Sequence, residues 1–363
     1  MSKPVLVAAG GTGGHLFPAE ALARALEARG IAVELATDVR AKQYGGDFPA
    51  RAIHQIVSAT PRGGSLLARG GAVLKLTAGT LAALRVLARM RPAAVVGFGG
   101  YPTVPPVLAA SLLRIPTLLH EQNAVLGRAN RFLAARVDAI ASGFPTLKGA
   151  GAGIEIHHTG NPVRPSVIAA GATPYPEEGR FRILVVGGSQ GARIMADIVP
   201  AAVARMPEAA RHDLIVTQQA RGEDADRVKK AYADLGLDAE VLPFFTDLPV
   251  RMAAAHLVIG RAGASTIAEL SVIGRPAILV PFPHALDQDQ AANAQYLREI
   301  DAASVVDQRE FTPEYLAEAL AAAQADPALL RQRAAAAKSA GIPDAAERLA
   351  DLVMEIARRE DRR

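Results

Sequence analysis

The chain has 363 residues, half of them hydrophobic and 21% charged, with 32 Gly, 24 Pro, no Cys and no Trp. That length suggests two domains, each able to bury its own core, and the composition excludes wholesale disorder, a disulfide scaffold, thiolate metal sites and cysteine nucleophiles. The net charge of +4 is uneven: residues 1–163 hold 17 Lys and Arg against 8 Asp and Glu, and the other 200 hold 23 against 28. A basic half of net +9 beside an acidic half of net −5 suggests an anionic partner for the first, either nucleic acid or a membrane surface.

The opening MSKPVLVAAGG reads as a first strand, Val5–Ala9, because its apolar run is too short for an export signal and ends in glycines. Further strands are predicted at Ile31–Ala36, Ile53–Val57, Ala93–Val96, Thr117–His120 and Ala139–Ala141. The second half repeats the scheme at Arg182–Val186, Asp213–Thr217, Ala239–Leu242, Leu257–Ile259, Ala277–Val280 and Ala303–Val306. Amphipathic Ala/Leu/Arg segments fill most gaps, and continuous apolar strands alternating with helices predict an α/β protein whose parallel sheets are covered on both faces. Prolines in Gly160-Asn161-Pro162-Val163-Arg164-Pro165 and in the stretch 171–176 mark a linker. Domains are therefore expected at 1–160 and 161–340, with a helical tail at 341–363.

No stretch is expected to reach the ~18 apolar residues of a membrane span. The best candidate, Pro102–Leu119, is broken by Pro105, Pro106, Arg114 and Pro116. The segment Leu66–Met90 mixes Leu and Val with Arg69, Lys75, Arg85 and Arg89. It suits either docking on an anionic bilayer surface or a buried crossover helix with a solvated face.

Three segments share one plan: Val5–Ala19, Val95–Ala109 and Ile183–Asp197 are each an apolar strand, a glycine-rich turn and a helix start. Such turns aim backbone N–H groups and a positive helix terminus at one point, which suits phosphate, and three of them point to a diphosphate ligand in an interdomain cleft. The first loop lacks the third glycine of G-x-G-x-x-G, since Leu16 stands there, and neither a P-loop nor a G-x-S-x-G elbow occurs. Asp287-Gln288-Asp289 spells D-x-D, but no other carboxylate cluster supports it, so no metal or cofactor is expected. With 4% aromatics, spread-out charge and no reader motif, no nucleic-acid partner is expected either.

The loops carry a more specific signal. Gly10-Gly11-Thr12-Gly13-Gly14-His15, Gly97-Phe98-Gly99-Gly100-Tyr101, His120-Glu121-Gln122-Asn123, Gly160-Asn161-Pro162-Val163-Arg164 and Gly187-Gly188-Ser189-Gln190-Gly191-Ala192 follow one another. Then come Arg261-Ala262-Gly263-Ala264-Ser265-Thr266 with Glu269, Pro281-Phe282, and Gln290 with Asn293. This ordered set, from residue 5 to about 310, closely resembles the MurG family of glycosyltransferases. The resemblance implies a GT-B architecture, two Rossmann-like domains facing across a cleft. It implies inverting transfer of N-acetylglucosamine from UDP-N-acetylglucosamine to the muramoyl 4-hydroxyl of lipid I, the undecaprenyl-diphospho-muramoyl-pentapeptide, giving lipid II. It also implies a peripheral position on the anionic cytoplasmic membrane face, beside other cell-wall synthesis proteins.

Inverting transfer needs a base for the acceptor hydroxyl and stabilisation of the departing diphosphate. His15 and Glu121 are the two candidate bases, with a phosphate-binding or capping role open for the first and a loop-holding role for the second. The resemblance assigns the acceptor to His15, Gly99, Gly100, Tyr101 and His120. It assigns the donor to Thr12, Gly13, Gly14, Asn123, Arg164, Ser189, Phe245, Ala264, Ser265, Thr266, Glu269 and Gln290. Ser189 is alternatively an ordinary helix N-cap, Phe245 a core side chain, and Asp289 the sugar contact in place of Gln290. Glu269 is expected on the ribose hydroxyls, and Thr103 stands where relatives often carry Ser.

Overall fold

The computed structural model describes residues 3–10, 13–38, 48–59, 66–188, 191–283 and 288–360, without the side chains of 66–69 and 360. The chain forms two units, Met1–Arg164 with Pro343–Arg363, and Pro165–Ile342. The expected linker thus divides at 164/165, and the tail returns to the first unit instead of standing apart.

In the first unit seven strands, β1 (Val5–Ala8), β2 (Val33–Thr37), β3 (Ala52–Gln55), β4 (Ala94–Gly97), β5 (Thr117–Glu121), β6 (Ala139–Ser142) and β7 (Ile156–His158), form one sheet in the order β3-β2-β1-β4-β5-β6-β7. All its pairings are parallel. The two-residue repeat of a strand sends Val5 and Val7 to one face and Leu6 and Ala8 to the other. The first face packs Leu16, Leu22 and Leu26 of the helix Gly13–Ala28 together with Leu349, Val353 and Ile356 of the tail helix Ala345–Glu360. The other face packs Ala83 and Leu87 of the helix Leu66–Met90 and Val107 of the helix Val104–Leu112. Arg29 clamps the tail by donating to Asp351 (2.6 Å), and Arg359 does so by donating to Glu155 (2.8 Å).

β7 was missed because its three residues, Ile156–His158, are a short edge with an exposed Ile156 and no apolar run. The stretch Pro102–Leu119 is divided between a 3₁₀ turn, a helix and β5. Among the described residues, the helix long and apolar enough by composition to span a bilayer is instead Gly70–Met90. It is the crossover between β3 and β4, and its Ala72, Ala83 and Leu87 lie in the core. Gly79 lets it approach closely, since a Cβ there would stand 2.1 Å from the Val57 carbonyl oxygen.

The second unit repeats the plan with β8 (Phe181–Val186), β9 (Leu214–Gln219), β10 (Asp238–Leu242), β11 (Leu257–Gly260), β12 (Ala277–Leu279) and β13 (Ala303–Val305), in the order β10-β9-β8-β11-β12-β13. These pairings are parallel as well. One core face joins Ile183 and Val185 to Met195, Val199, Leu316 and Leu320. Both sheets reverse their strand order between the first strand and the fourth, and ligands of open parallel sheets bind at the carboxyl ends of the strands flanking such a reversal.

Candidate active site

In the first unit the reversal lies between β1 and β4, and their exits carry two of the glycine turns. Gly99 (φ 86°) and Gly100 (φ 73°) adopt the left-handed conformation that side chains resist. Thr103 is fully buried, and its hydroxyl donates to the carbonyls of Gly99 (2.7 Å) and Ala8 (3.2 Å), stapling the β4 exit to β1. That explains a hydroxyl at this position without any ligand. His15, in the first turn of the helix Gly13–Ala28, lies against this backbone: a Cβ on Gly100 would be 3.5 Å from its Nε2. Half-exposed Tyr101 follows in the 3₁₀ turn.

The β5 exit supplies the rest. Glu121 is buried, and each of its oxygens accepts two hydrogen bonds. Oε1 takes the backbone N–H (3.0 Å) and side-chain amide (3.2 Å) of Asn123; Oε2 takes the N–H of Gly127 (2.9 Å) and the amide of Asn130 (2.8 Å). A carboxylate so occupied organises the loop around it. His120 has no exposed surface, and burial depresses its pKa to about 4, so its ring is neutral. It therefore lies behind the surface, and its ring nitrogens engage the Gly160 carbonyl (3.1 Å) and the Gln122 amide (2.9 Å). Gln122 in turn meets His15 Nδ1 at 3.1 Å. The Arg164 guanidinium stacks on the Phe17 ring, 5.0 Å from its centroid.

In the second unit the reversal lies between β8 and β11. At the β8 exit Gly188 (φ 85°) and Gly191 (φ 67°) form a turn closed by Gly191 N–H donating to the Gly188 carbonyl (3.0 Å). Gln219 holds this turn against the β10 exit: its Oε1 accepts from Gly187 N–H (3.0 Å) and its Nε2 donates to the Pro243 carbonyl (3.2 Å). The following helix, Arg193–Arg205, has Ala192 as its N-cap. β11 leads through Arg261 and Gly263 into the helix Ala264–Ile273, whose first turns carry half-exposed Ser265, Thr266 and Glu269 beside buried Ala264. Neither helix has an acidic residue in its first turn, nor has Gly13–Ala28, so their positive ends keep their attraction for a phosphate.

Arg261, nine-tenths buried, donates to the carbonyls of Val280 (2.9 Å) and Pro281 (3.2 Å) and to Gln308 (2.6 Å), and so shapes the β12 exit. Gln290, at the start of the helix Asp289–Glu299, accepts from Phe282 N–H through Oε1 (2.9 Å), while Asp289 accepts from Gln290 N–H (2.9 Å). Buried Asn293 donates to the Ala262 carbonyl (3.2 Å).

The glycosyltransferase family 28 N-terminal domain matches residues 5–142, and the family's C-terminal domain matches 182–349. The chain is 60% identical, over 97% of its length and 96% of its relative's, to the UDP-N-acetylglucosamine–N-acetylmuramyl-(pentapeptide) pyrophosphoryl-undecaprenol N-acetylglucosamine transferase of Methylobacterium nodulans. The chain belongs to glycosyltransferase family 28. A second family member, the transferase of the same name from Mesorhizobium japonicum, is 54% identical over 97% of this chain and 95% of its own. The crystal structure of Acinetobacter baumannii MurG superposes with a TM-score of 0.80 at 32% identity, covering 97% of this chain and 99% of that one. The UDP-GlcNAc 2-epimerase of Neisseria meningitidis reaches 0.67 at 12% identity, over 97% of this chain and all of that one, which reflects the fold alone. The two parallel-sheet units are thus the GT-B fold of the family's glycosyltransferases.

Of the sequence-predicted site residues, the first unit brings together His15, Gly13, Gly14, Gly99, Gly100, Tyr101, His120, Glu121 and Asn123 around the β1, β4 and β5 exits. Arg164 closes that unit beside Phe17. In the second unit Ala264, Ser265, Thr266 and Glu269 share one helix, and Gln290 lies at the β12 exit. Phe245 is buried under the Arg251 guanidinium, 4.5 Å from its ring centroid, so its side chain is a core group. Thr12, Ser189 and Asp287 lie outside the described residues. Sequence reasoning missed Asn130 and Gln219 as organisers. Both are amides whose partners lie on other elements, so no local spacing marks them.

Proposed function

We propose that this chain transfers N-acetylglucosamine from UDP-N-acetylglucosamine to the muramoyl 4-hydroxyl of lipid I, forming lipid II with inversion. The observation that carries the reading is the 60% identity over nearly the whole of both chains with a transferase of that name. In this reaction the acceptor oxygen attacks the anomeric carbon, the bond from that carbon to the diphosphate breaks, and its electron pair leaves with UDP.

His15 is the base. What supports it over Glu121 is the loading of the Glu121 oxygens with four hydrogen bonds, against the half-exposed His15 ring beside bare glycine backbone. Gly99, Gly100 and Tyr101 receive the acceptor. The donor belongs to the second unit, with its diphosphate at the β8 glycine turn with Ser189 and at the start of the helix Ala264–Ile273, Glu269 on the ribose and Gln290 on the sugar. The uracil meets the backbone at Phe245. No step asks for a metal, since developing charge on the diphosphate meets helix termini.

The lipid-linked acceptor calls for a peripheral position on the cytoplasmic membrane face, beside other wall-synthesis proteins. Support comes from the outward side of the helix Leu66–Met90. Leu74 (72% exposed) and Leu81 (52%) stand two turns apart there, followed along the same side by exposed Arg85 and Arg89. Incubation with UDP-N-acetylglucosamine and a lipid I analogue tests the function. UDP release that depends on the acceptor is expected, whereas epimerised sugar nucleotide, or no turnover at all, refutes it.

A further inference from the structure

The chain of side chains behind His15 settles where its protons lie. Hydrogen-bond roles of histidines and amides are ambiguous until an atom of fixed role is reached, and here two backbone carbonyls supply such atoms. The Gly160 carbonyl can only accept, so His120 Nε2, 3.1 Å away, carries a hydrogen. The neutral His120 ring then presents a lone pair at Nδ1. That lone pair faces a terminal atom of the Gln122 amide at 2.9 Å, and the same atom stands 3.1 Å from the backbone carbonyl of His120. Two acceptors converge on it, so it is the NH2. The other end of the amide is therefore the carbonyl Oε1, and it stands 3.1 Å from His15 Nδ1. An acceptor there requires the proton on Nδ1 of His15.

We infer that Gln122 is a positioning residue, which holds the neutral His15 imidazole in the tautomer with its proton on Nδ1 and its lone pair on Nε2. The inference rests on the reading of His15 as the base. Nε2 lies on the ring edge toward Gly99 and Gly100, where a Cβ on either glycine would come within 3.5 Å of the ring. When the acceptor hydroxyl attacks, its proton passes to Nε2 as the new carbon–oxygen bond forms and the electron pair of the broken bond leaves with UDP. The resulting imidazolium still donates from Nδ1 to the Gln122 carbonyl, so the ring need not turn between the two protonation states. His120 is the titratable group facing this ring through the amide, and its burial keeps it neutral beside the cation that forms. Gln122 is itself 4% exposed and is tied down by the Asn161 amide donating to its backbone carbonyl (2.8 Å), which leaves the relay little freedom.

The test reads the nitrogen resonances of the His15 ring, assigned by their loss in His15→Gln, at a pH where the ring is neutral. A pyrrole-like Nδ1 and a pyridine-like Nε2 are expected in the wild type. In Gln122→Met, similar in volume but without the amide, the signals should shift toward the other tautomer. Its kcat should fall about 10- to 100-fold, the scale on which loss of a partner that orients a metal-bound histidine acts, with KM for UDP-N-acetylglucosamine unchanged. A wild-type ring protonated at Nε2 overturns the proposal, as does a Gln122→Met spectrum identical to the wild type. If Gln122→Met does not fold, the wild-type spectrum decides. The expected tautomers in a protein that transfers no sugar would leave the positioning intact and refute the functional reading instead.

Discussion

Acidification should destabilise the first unit through one buried ring. His120 has an ordinary pKa of 6.5 and is held at about 4 in the folded chain, mainly because burial penalises the imidazolium. Above 6.5 neither state binds the proton, so the neutral ring incurs no loss. Between 6.5 and about 4 the unfolded chain takes up a proton that the folded chain refuses, so stability falls as the pH falls. The gap corresponds to about 3 kcal/mol in full, of which about 2 kcal/mol is expressed by about pH 5. The assay is urea unfolding of the wild type and of His120→Gln at about pH 7.5 and about pH 5. Burial also lowers the pKa of His158 and His256, but both are present in each protein and cancel in the comparison. The wild type should lose about 2 kcal/mol more than the variant on acidification. Equal losses, or a folded-state His120 resonance that titrates near neutrality, would refute the argument.

Other substitutions probe the organising contacts. Glu121→Gln replaces two acceptor positions with donors facing the amides of Asn123 or the pair from Gly127 and Asn130. A loss of about 2–4 kcal/mol should appear in thermal unfolding; an unchanged Tm with abolished turnover would instead make Glu121 the base. Thr103→Val removes the staple to Gly99 and Ala8 and should cost about 1–3 kcal/mol, while Thr103→Ser should retain both stability and activity. Gly79→Ala drives a Cβ into the Val57 carbonyl and the Pro105 ring, with an expected loss of about 1–3 kcal/mol by denaturant titration. Replacing exposed Leu74 and Leu81 together by Asp should reduce flotation with anionic vesicles while leaving turnover on a soluble acceptor analogue intact. Undiminished flotation would remove this helix from the docking surface.

The glycine turns illustrate how much of the site can be read locally. A strand exit that must turn sharply toward a helix start needs residues able to take positive φ, and Gly99, Gly100, Gly188 and Gly191 announce such turns wherever they occur. The role of Thr103 was not legible in the same way. Its hydroxyl matched the family pattern, but its partners are a carbonyl in its own turn and another 95 positions away on β1.

By itself the amino-acid sequence determined the alternation of strands and helices and the parallel character of the sheets. Those properties follow from hydrophobic period, β-branched runs, glycines and prolines, all of which act over a few residues. Only the tertiary structure decided that the tail helix returns to the first unit through Leu349 and Val353, that Phe245 packs inside, and that Glu121 is filled by four donors. It alone ordered His15, Gln122, His120 and Gly160 into one hydrogen-bonded series. The reason is physical: pairing of buried polar groups depends on which strand ends meet in space, and neighbours in a parallel sheet are joined by long crossovers that separate such partners far along the chain.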